Sequence, residues 1–275
     1  MNKIETTEQY RELMASAKQN GWRLSNCYFL PRDVEAKVAR GNLYSEVLAN
    51  GLLLIEDEGT FFRCFFYFDR ELSGSEWKPA KDAVVEIPFS GAMNEAQQIQ
   101  VQRVEEMGFR LGRESSMMTL AADSVAESAF RGDDPAGCRT AEPADATQIA
   151  ELLSNAFNPM YSYLPDREQL REAIDTQRVF VIGSGANVFG ALLSTVEKNS
   201  ATISQVVIHP EHRGKGYGNR LLDHYHRHYA GAVKQYQHWV DINNTGAVAM
   251  YKKNGYEFAL RKANEYILLT GGSDQ

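Results

Sequence analysis

The residues whose types and spacing carry the clearest chemistry run from Ile208 to Leu222 (IHPEHRGKGYGNRLL). An apolar stretch, Val206-Val207-Ile208, leads into the loop Arg213-Gly214-Lys215-Gly216-Tyr217-Gly218. Leu221, Leu222, Tyr225 and Tyr229 then recur at helical spacing. The order is strand, glycine-rich turn, helix. It gathers unpaired backbone N–H groups and the positive end of a helix dipole at one point, which suits a phosphate or pyrophosphate. Alternating glycines lack Cβ, so the loop can curl through positive φ and let an anion reach the main chain. Arg213 and Lys215 add positive charge at its rim. Other phosphate loops fit less well. A P-loop needs Gly, four residues, then Gly-Lys-Ser/Thr, and no such run occurs. A dinucleotide fold opens a βαβ unit with G-x-G-x-x-G, whereas here G-x-G-x-G follows a strand late in its domain.

A second constellation lies downstream. Residues 236–242 (YQHWVDI) read as a strand, and Asn244 then precedes a helix with Ala247 and Tyr251 on one face. Asn244 is a good N-cap, and Gly255 suits the left-handed position that ends a helix. Taken singly, Tyr251 reads as a core residue and Asn244 as a cap.

Together these segments resemble the acyl-CoA site of the GNAT superfamily of N-acetyltransferases. The family loop runs Arg or Gln, two residues, Gly, one residue, Gly or Ala, met here by Arg213, Gly216 and Gly218. The run NTGAVAMYKKNGYEF is similar to the family's segment after its fifth strand. The resemblance covers residues 137–270. It implies a GNAT fold, a mixed and mostly antiparallel central sheet flanked by helices. It also implies acetyl-CoA as co-substrate, held by Val206, Val207, Ile208, Arg213, Gly214, Lys215, Gly216, Tyr217, Gly218, Asn219 and Asn244. In the family two central strands splay at a bulge to admit the pantetheine. The backbone of Val206–Ile208 stands at that place, one N–H facing the acetyl carbonyl. Tyr251 falls on the family's general acid toward the departing thiolate. A phenol with a pKa of about 10 stays protonated at neutral pH and can donate.

The general base has no clear counterpart. Several family members use a Glu on the strand before the loop, but Ala201–Gln205 holds no carboxylate. Glu197, at the preceding turn, is one candidate; a water chain ending at Tyr161, Tyr163 or Ser204 is another. No cysteine lies in the matched motif segments, so direct attack of an amine in a ternary complex is expected rather than a covalent acyl-enzyme.

All six histidines fall between His209 and His238, and His224 and His228 stand four apart on a helix. No third ligand stands at a zinc-site spacing. With Asp223 and Arg227 they read as a solvated face, and no metal is expected. His209 and His212 border the loop and add to its polarity.

The elements that must position this site read as follows. Cys138–Ala141 is a strand, Asp145 precedes an amphipathic helix through Phe157, and residues 161–174 hold a second helical segment. Residues 178–184 and 187–198 are strands joined at Gly183–Gly185, and residues 201–210 form the next. Glu265–Leu269 closes the domain. Residues 121–136 form a small, polar linker, giving domains 1–120 and 137–275. In the first domain, residues 51–71 read as a hairpin turning at Glu58-Gly59, 82–89 as a strand, Gln97–Met107 as a helix and Ser115–Leu120 as a final strand. The run from Val104 (VEEMGFRLGRESSMMTL) echoes the run from Tyr251 (YKKNGYEFALRKANEYILL). The first domain is therefore either a degenerate GNAT-like copy, in tandem, or an unrelated α+β domain. The glycine loop has no counterpart between Phe68 and Ala83, and Val104 stands where Tyr251 stands, so a GNAT-like first domain should not bind CoA in the same way. Trp22, Trp77 and Phe61–Phe68 serve either its core or a contact surface.

Composition sets outer limits. At 275 residues the chain suits two domains, and its 43% hydrophobic content is enough for real cores. No apolar run spans a bilayer, and the charged, helical N-terminus does not read as a signal peptide. Cys27, Cys64 and Cys138 are odd in number and widely spaced, which suits a reducing cytoplasm. A net charge of −7 speaks against a nucleic-acid partner. The expectation is a cytoplasmic N-acetyltransferase, monomer or homodimer, acting on an amine of a small molecule or peptide, with no membrane partner. The alternatives are a non-catalytic acyl-CoA-binding or regulatory module and, more remotely, a metal hydrolase.

Overall fold

The computed structural model describes residues 1–71, 76–125 and 137–271. Two compact units divide the chain, Met1–Glu114 with Arg261–Gln275, and Ser115–Leu260.

The first unit contains β1 (Asn2–Lys3), α1 (Thr7–Gln19), β2 (Leu24–Ser25), α2 (Pro31–Arg40), β3 (Leu43–Leu48), β4 (Gly51–Asp57), β5 (Phe61–Phe68), β6 (Asp82–Ser90), α3 (Glu95–Glu106) and the start of β7 (Arg110–Ala121). Local chemistry sets the helix starts. Thr6 and Gln9 form a capping box at α1, Asn94 and Gln97 do so at α3, and Pro31 opens α2. Strands β3, β4 and β5 form an antiparallel meander, and β6 joins β5 in parallel. Alternate residues of β4 and β5 face opposite cores. Leu53, Ile55, Phe62, Cys64 and Phe66 pack with Trp77, Val104 and Phe109, while Leu52 and Leu54 pack with Ile4, Ala17 and Leu43. Trp77 and most of the Phe61–Phe68 run are thus core.

The second unit holds the rest of β7, then β8 (Cys138–Thr140), α4 (Ala146–Ala156), α5 (Arg167–Asp175), β9 (Val179–Ser184), β10 (Asn187–Glu197), β11 (Ser200–Ile208), α6 (Tyr217–His228), β12 (Gln235–Asp241), α7 (Thr245–Lys253) and the start of β13 (Glu257–Leu268). Its strand order is β7-β12-β11-β10-β9-β8, antiparallel throughout except for the parallel pair β11–β12. Helices α4 and α5 cover one face over Val179, Val181, Ala191 and Leu193. Residues of α6 and α7 cover the other, where Leu221, Tyr225 and Tyr251 meet Phe180, Leu192 and Ile203. The fold is the mixed α+β architecture expected from the sequence.

The division between units differs from the expected cut at 121–136, of which residues 126–136 lie outside the described part. The closing strand of each half belongs to the other unit. Ser115–Ala121 pairs with β12, and Arg261–Leu268 pairs with β6. Strand pairing is a non-local choice, so a linker composition does not reveal it.

Candidate active site

The parallel ladder between β11 and β12 is short. It pairs Ser200 with Gln235 through Ile203 with His238, and ends there. Across β11, the pairing with β10 shifts register between Leu193/Gln205 and Ser194/Ile203, so Ser204 is an unpaired bulge residue. Beyond the bulge, β11 stays on β10 (Leu192 with Val206, Gly190 with Ile208) but has left β12. The two strands therefore open as a fork. The His209 N–H donates to Phe189 O at 2.8 Å. By antiparallel alternation, Val207 turns its backbone groups to β10, and Val206 and Ile208 turn theirs to the fork. The Ile208 carbonyl is taken by Arg213 Nε at 3.0 Å. What remains toward the fork is the Val206 N–H and C=O and the Ile208 N–H.

The strand leaves the fork and enters a short turn, Pro210–His212, then the glycine loop. Gly214 and Gly216 have φ of 76° and 80°, the left-handed region that a Cβ disfavours. Gly216 is the N-cap of α6 and no side chain caps the helix. The first-turn N–H groups of α6 are thus left to a ligand or solvent, the arrangement that binds phosphate. Arg213 and Lys215 are exposed beside it, Lys215 Nζ donating to Glu211 O at 3.0 Å. Gly218 serves differently, lying inside α6 against Met250 of α7. Asn219 Oδ1 accepts from Asn254 Nδ2 at 2.8 Å, a second tie between these helices. His212 stacks on Phe189 with ring centroids 4.2 Å apart, and Tyr217 lies 5.0 Å from the same ring. An aromatic wall thus backs the loop.

Asn244 caps α7, its Oδ1 accepting from Ala247 N at 3.1 Å. Tyr251 is buried, 1% exposed, and its phenol pKa is pushed up by burial, so it stays protonated at neutral pH. Its ring lies 4.4 Å from that of His238 and 5.4 Å from that of Tyr256. His238 donates from Nδ1 to the Ile203 carbonyl at 3.1 Å, and burial lowers its pKa to about 4, so the ring is neutral. Tyr251 and Val206–Ile208 thus belong to one neighbourhood through Ile203 and His238. No motif in the sequence marks His238; the available signal is its inward place in the buried alternation Tyr236, His238, Val240.

The base candidates are spread out. Glu197 is exposed on the β10–β11 hairpin, level with Ser200, at the opposite end of β11 from the glycine loop. Ser204 is exposed at the bulge. Buried Gln205 donates from Nε2 to the Tyr163 carbonyl at 2.8 Å and so ties the segment between α4 and α5 to the strand at the fork. The α6 histidines depart only in part from the expected solvated face: half-buried His224 and exposed His228 both set their rings edge-on to Phe180, at 5.4 and 4.9 Å, because this side of α6 lies over β9. Among the described residues, no group of three or more His, Cys, Asp or Glu is placed to hold a metal.

The first unit has a similar opening, though β5 stays in continuous register with β4 and carries no bulge, and fills it. Its parallel ladder also spans four pairs, Phe61 with Asp82 through Cys64 with Val85. Beyond that point β2 lies on β5, Leu24 pairing with Phe68 and Ser25 with Tyr67. Asn26, 5% exposed, bridges the opening. Its Nδ2 donates to Glu86 O at 2.9 Å and Cys64 O at 3.4 Å, and its Oδ1 accepts from Phe66 N at 2.8 Å. Gln100 Nε2 holds Ser25 O at 2.8 Å.

Comparison with known proteins agrees with this geometry. Residues 175–258 match the family model described as acetyltransferase (GNAT) domain. No curated protein sequence matches the chain. Among solved structures, the chain is similar to a GCN5-related N-acetyltransferase from Sphaerobacter thermophilus, with 16% identity, 82% of each chain covered and a TM-score of 0.55. It is similar to a tandem GNAT protein from the clavulanic acid biosynthesis pathway, with 18% identity, 98% and 96% of the chains covered and a TM-score of 0.52. A GNAT-family acetyltransferase from Colwellia psychrerythraea matches at 11% identity over 97% and 98% of the chains, with a TM-score of 0.52. At such identities the likeness speaks for the fold. The family model, the fork and the glycine loop coincide in one stretch of chain, and residues 175–258 are accordingly a GNAT acetyltransferase domain, carried in a chain with the fold of that family.

Proposed function

We propose that the second unit transfers an acetyl group from acetyl-CoA to a primary amine of a small molecule or peptide, the amine attacking directly. The observation that carries this reading is the fork. Strand β11 parts from β12 after Ile203 and His238 and leads into an α6 N-terminus that no side chain caps. One opening for an extended amide chain and one cradle for its pyrophosphate thus lie in line.

The chain's residues divide the work. The N–H groups at the start of α6, with Arg213 and Lys215, hold the pyrophosphate. Fork-facing backbone of Val206 and Ile208 pairs with the pantetheine amides, and one of their N–H groups faces the thioester oxygen, where negative charge grows as the amine attacks. A new C–N bond forms, the C–S bond breaks, and Tyr251 gives its proton to the sulfur. The amine proton leaves through water at Ser204 and the Tyr161–Tyr163 segment, since Glu197 stands at the far hairpin. We further propose one acyl-CoA per chain, because β2 and Asn26 occupy the first unit's fork.

Calorimetry with acetyl-CoA, followed by an amine panel read out by free-thiol release, tests the reading. One site per chain and release with some amine are expected. Binding without release from any amine class would favour a binding module, and no binding would overturn the assignment.

A further inference from the structure

We infer that His238 is the positioning residue for Tyr251, fixing the acid's ring to the main chain at the root of the fork. This rests on the reading of Tyr251 as the acid.

Three observations converge on it. His238 is the last paired residue of the β11–β12 ladder, opposite Ile203, so it sits where the strands part. Its imidazole is tied to that point, Nδ1 donating to the Ile203 carbonyl at 3.1 Å. The same ring lies against Tyr251, with centroids 4.4 Å apart and planes 32° from parallel. Tyr256 braces the other partner, 5.4 Å from the Tyr251 ring and edge-on at 70°. The Tyr251 phenol is therefore held by groups whose own positions are set by backbone and core.

The first unit supplies a comparison within the same chain. There the fork-root pair is Cys64 and Val85, and Val104 stands where Tyr251 stands in the second unit. The root carbonyl, Cys64 O, is satisfied by Asn26 of the filling segment instead. Imidazole, phenol and glycine loop are all missing together. A histidine needed only to satisfy a strand carbonyl would have no reason to pair with the tyrosine.

The physical consequence concerns orientation. A donor must lie within hydrogen-bond reach of the departing atom, and a misplacement of about 1 Å costs about 10²-fold in rate rather than affinity. Tyr251 reaches out from a short helix on two rotatable bonds, and the anchored imidazole removes that freedom. A neutral ring does this without placing a positive charge beside a phenol that must stay protonated.

A double-mutant cycle tests the inference. His238→Asn keeps a donor near the Nδ1 position and loses the ring; His238→Phe keeps a ring and loses the donor. Each is combined with Tyr251→Phe, and kcat and the acetyl-CoA KM are measured for all variants, with thermal melts to confirm folding. Each His238 variant is expected to lower kcat about tenfold in the Tyr251 background, with KM changed less than about twofold, and to lower it less than about twofold when Tyr251 is already Phe. Equal loss in both backgrounds, or a loss confined to KM, would overturn the positioning role while leaving Tyr251 as the acid. An unchanged kcat in Tyr251→Phe alone would remove the acid assignment, and the inference with it. His238→Asn secures the test if His238→Phe overpacks the site.

Discussion

A Cβ on Gly218 would stand 2.7 Å from the Sδ of Met250. The third glycine of the loop therefore belongs to helix packing: it lets α6 approach α7 closely enough for the cradle and the Tyr251 helix to share one framework. Two effects oppose each other in Gly218→Ala. Alanine gains roughly 1 kcal/mol of helix propensity, while the contact makes the flexible, half-buried end of Met250 swing aside, which offsets part of that gain. We expect a net change within about 1 kcal/mol in the wild-type background. In Met250→Ala the same change should stabilise more, by up to about 1 kcal/mol. Chemical unfolding of the four proteins checks the difference between the two backgrounds.

Gly216 is different, because a Cβ there meets nothing within 4 Å and only its φ of 80° disfavours a side chain. Asn and Asp tolerate that region comparably well. Gly216→Asn should therefore keep acetyl-CoA affinity within about tenfold. Gly216→Asp, nearly isosteric but anionic, should lose it by more than about a hundredfold through repulsion at the phosphate cradle. Equal affinities for the two variants, measured by calorimetry, would detach the loop from phosphate binding.

Tyr251→Phe removes one hydroxyl from a buried ring and leaves its packing nearly intact. We expect kcat to fall by about 10²–10⁴ with acetyl-CoA affinity largely unchanged. A steady-state comparison at neutral pH suffices, and a matching fall in affinity would point to a binding role instead.

These sites were unevenly legible in the sequence. The glycine loop announces itself because positive φ restricts residue choice, and Asn244 and Gly255 mark α7 because helix ends have capping chemistry. The bulge at Ser204 and the fork carry no such signal of their own, since Ala201–Ile208 reads as any half-buried strand; only the family resemblance placed them there. The exchange of Ser115–Ala121 and Arg261–Leu268 was hidden because both segments look like closing strands and their pairing is decided at long range. Asn26 was invisible for the same reason. Its partners are Cys64, Phe66 and Glu86, far along the chain.

That distant pairing makes Asn26 a sharp test of the filled fork. Asn26→Ala leaves Phe66 N and Glu86 O without their partner in a buried place, which should cost about 1–3 kcal/mol. Acetyl-CoA stoichiometry by native mass spectrometry should stay at one per chain, and should fall to zero in Gly216→Asp. Two bound molecules in the wild type would show that the first fork opens.

His226 and His238 give the protein an acid-sensitive stability. Both are buried, and burial lowers each pKa to about 4 from an ordinary value of 6.5. His226 Nε2 is paired with the Tyr256 hydroxyl at 2.9 Å and His238 Nδ1 with Ile203 O at 3.1 Å. Between those two pH values the unfolded chain binds protons that the folded one refuses, so stability rises with pH across that window. It is fully present above about pH 6.5 and is lost progressively as pH falls toward 4, at up to about 1.4 kcal/mol per pH unit for each histidine. Urea unfolding at pH 7 and pH 5 should show a clear drop, and His226→Phe should reduce the pH dependence even where it lowers stability at pH 7. A pH slope unchanged in that variant would mean that His226 is charged in the folded protein and that the Tyr256 hydroxyl serves it as an acceptor.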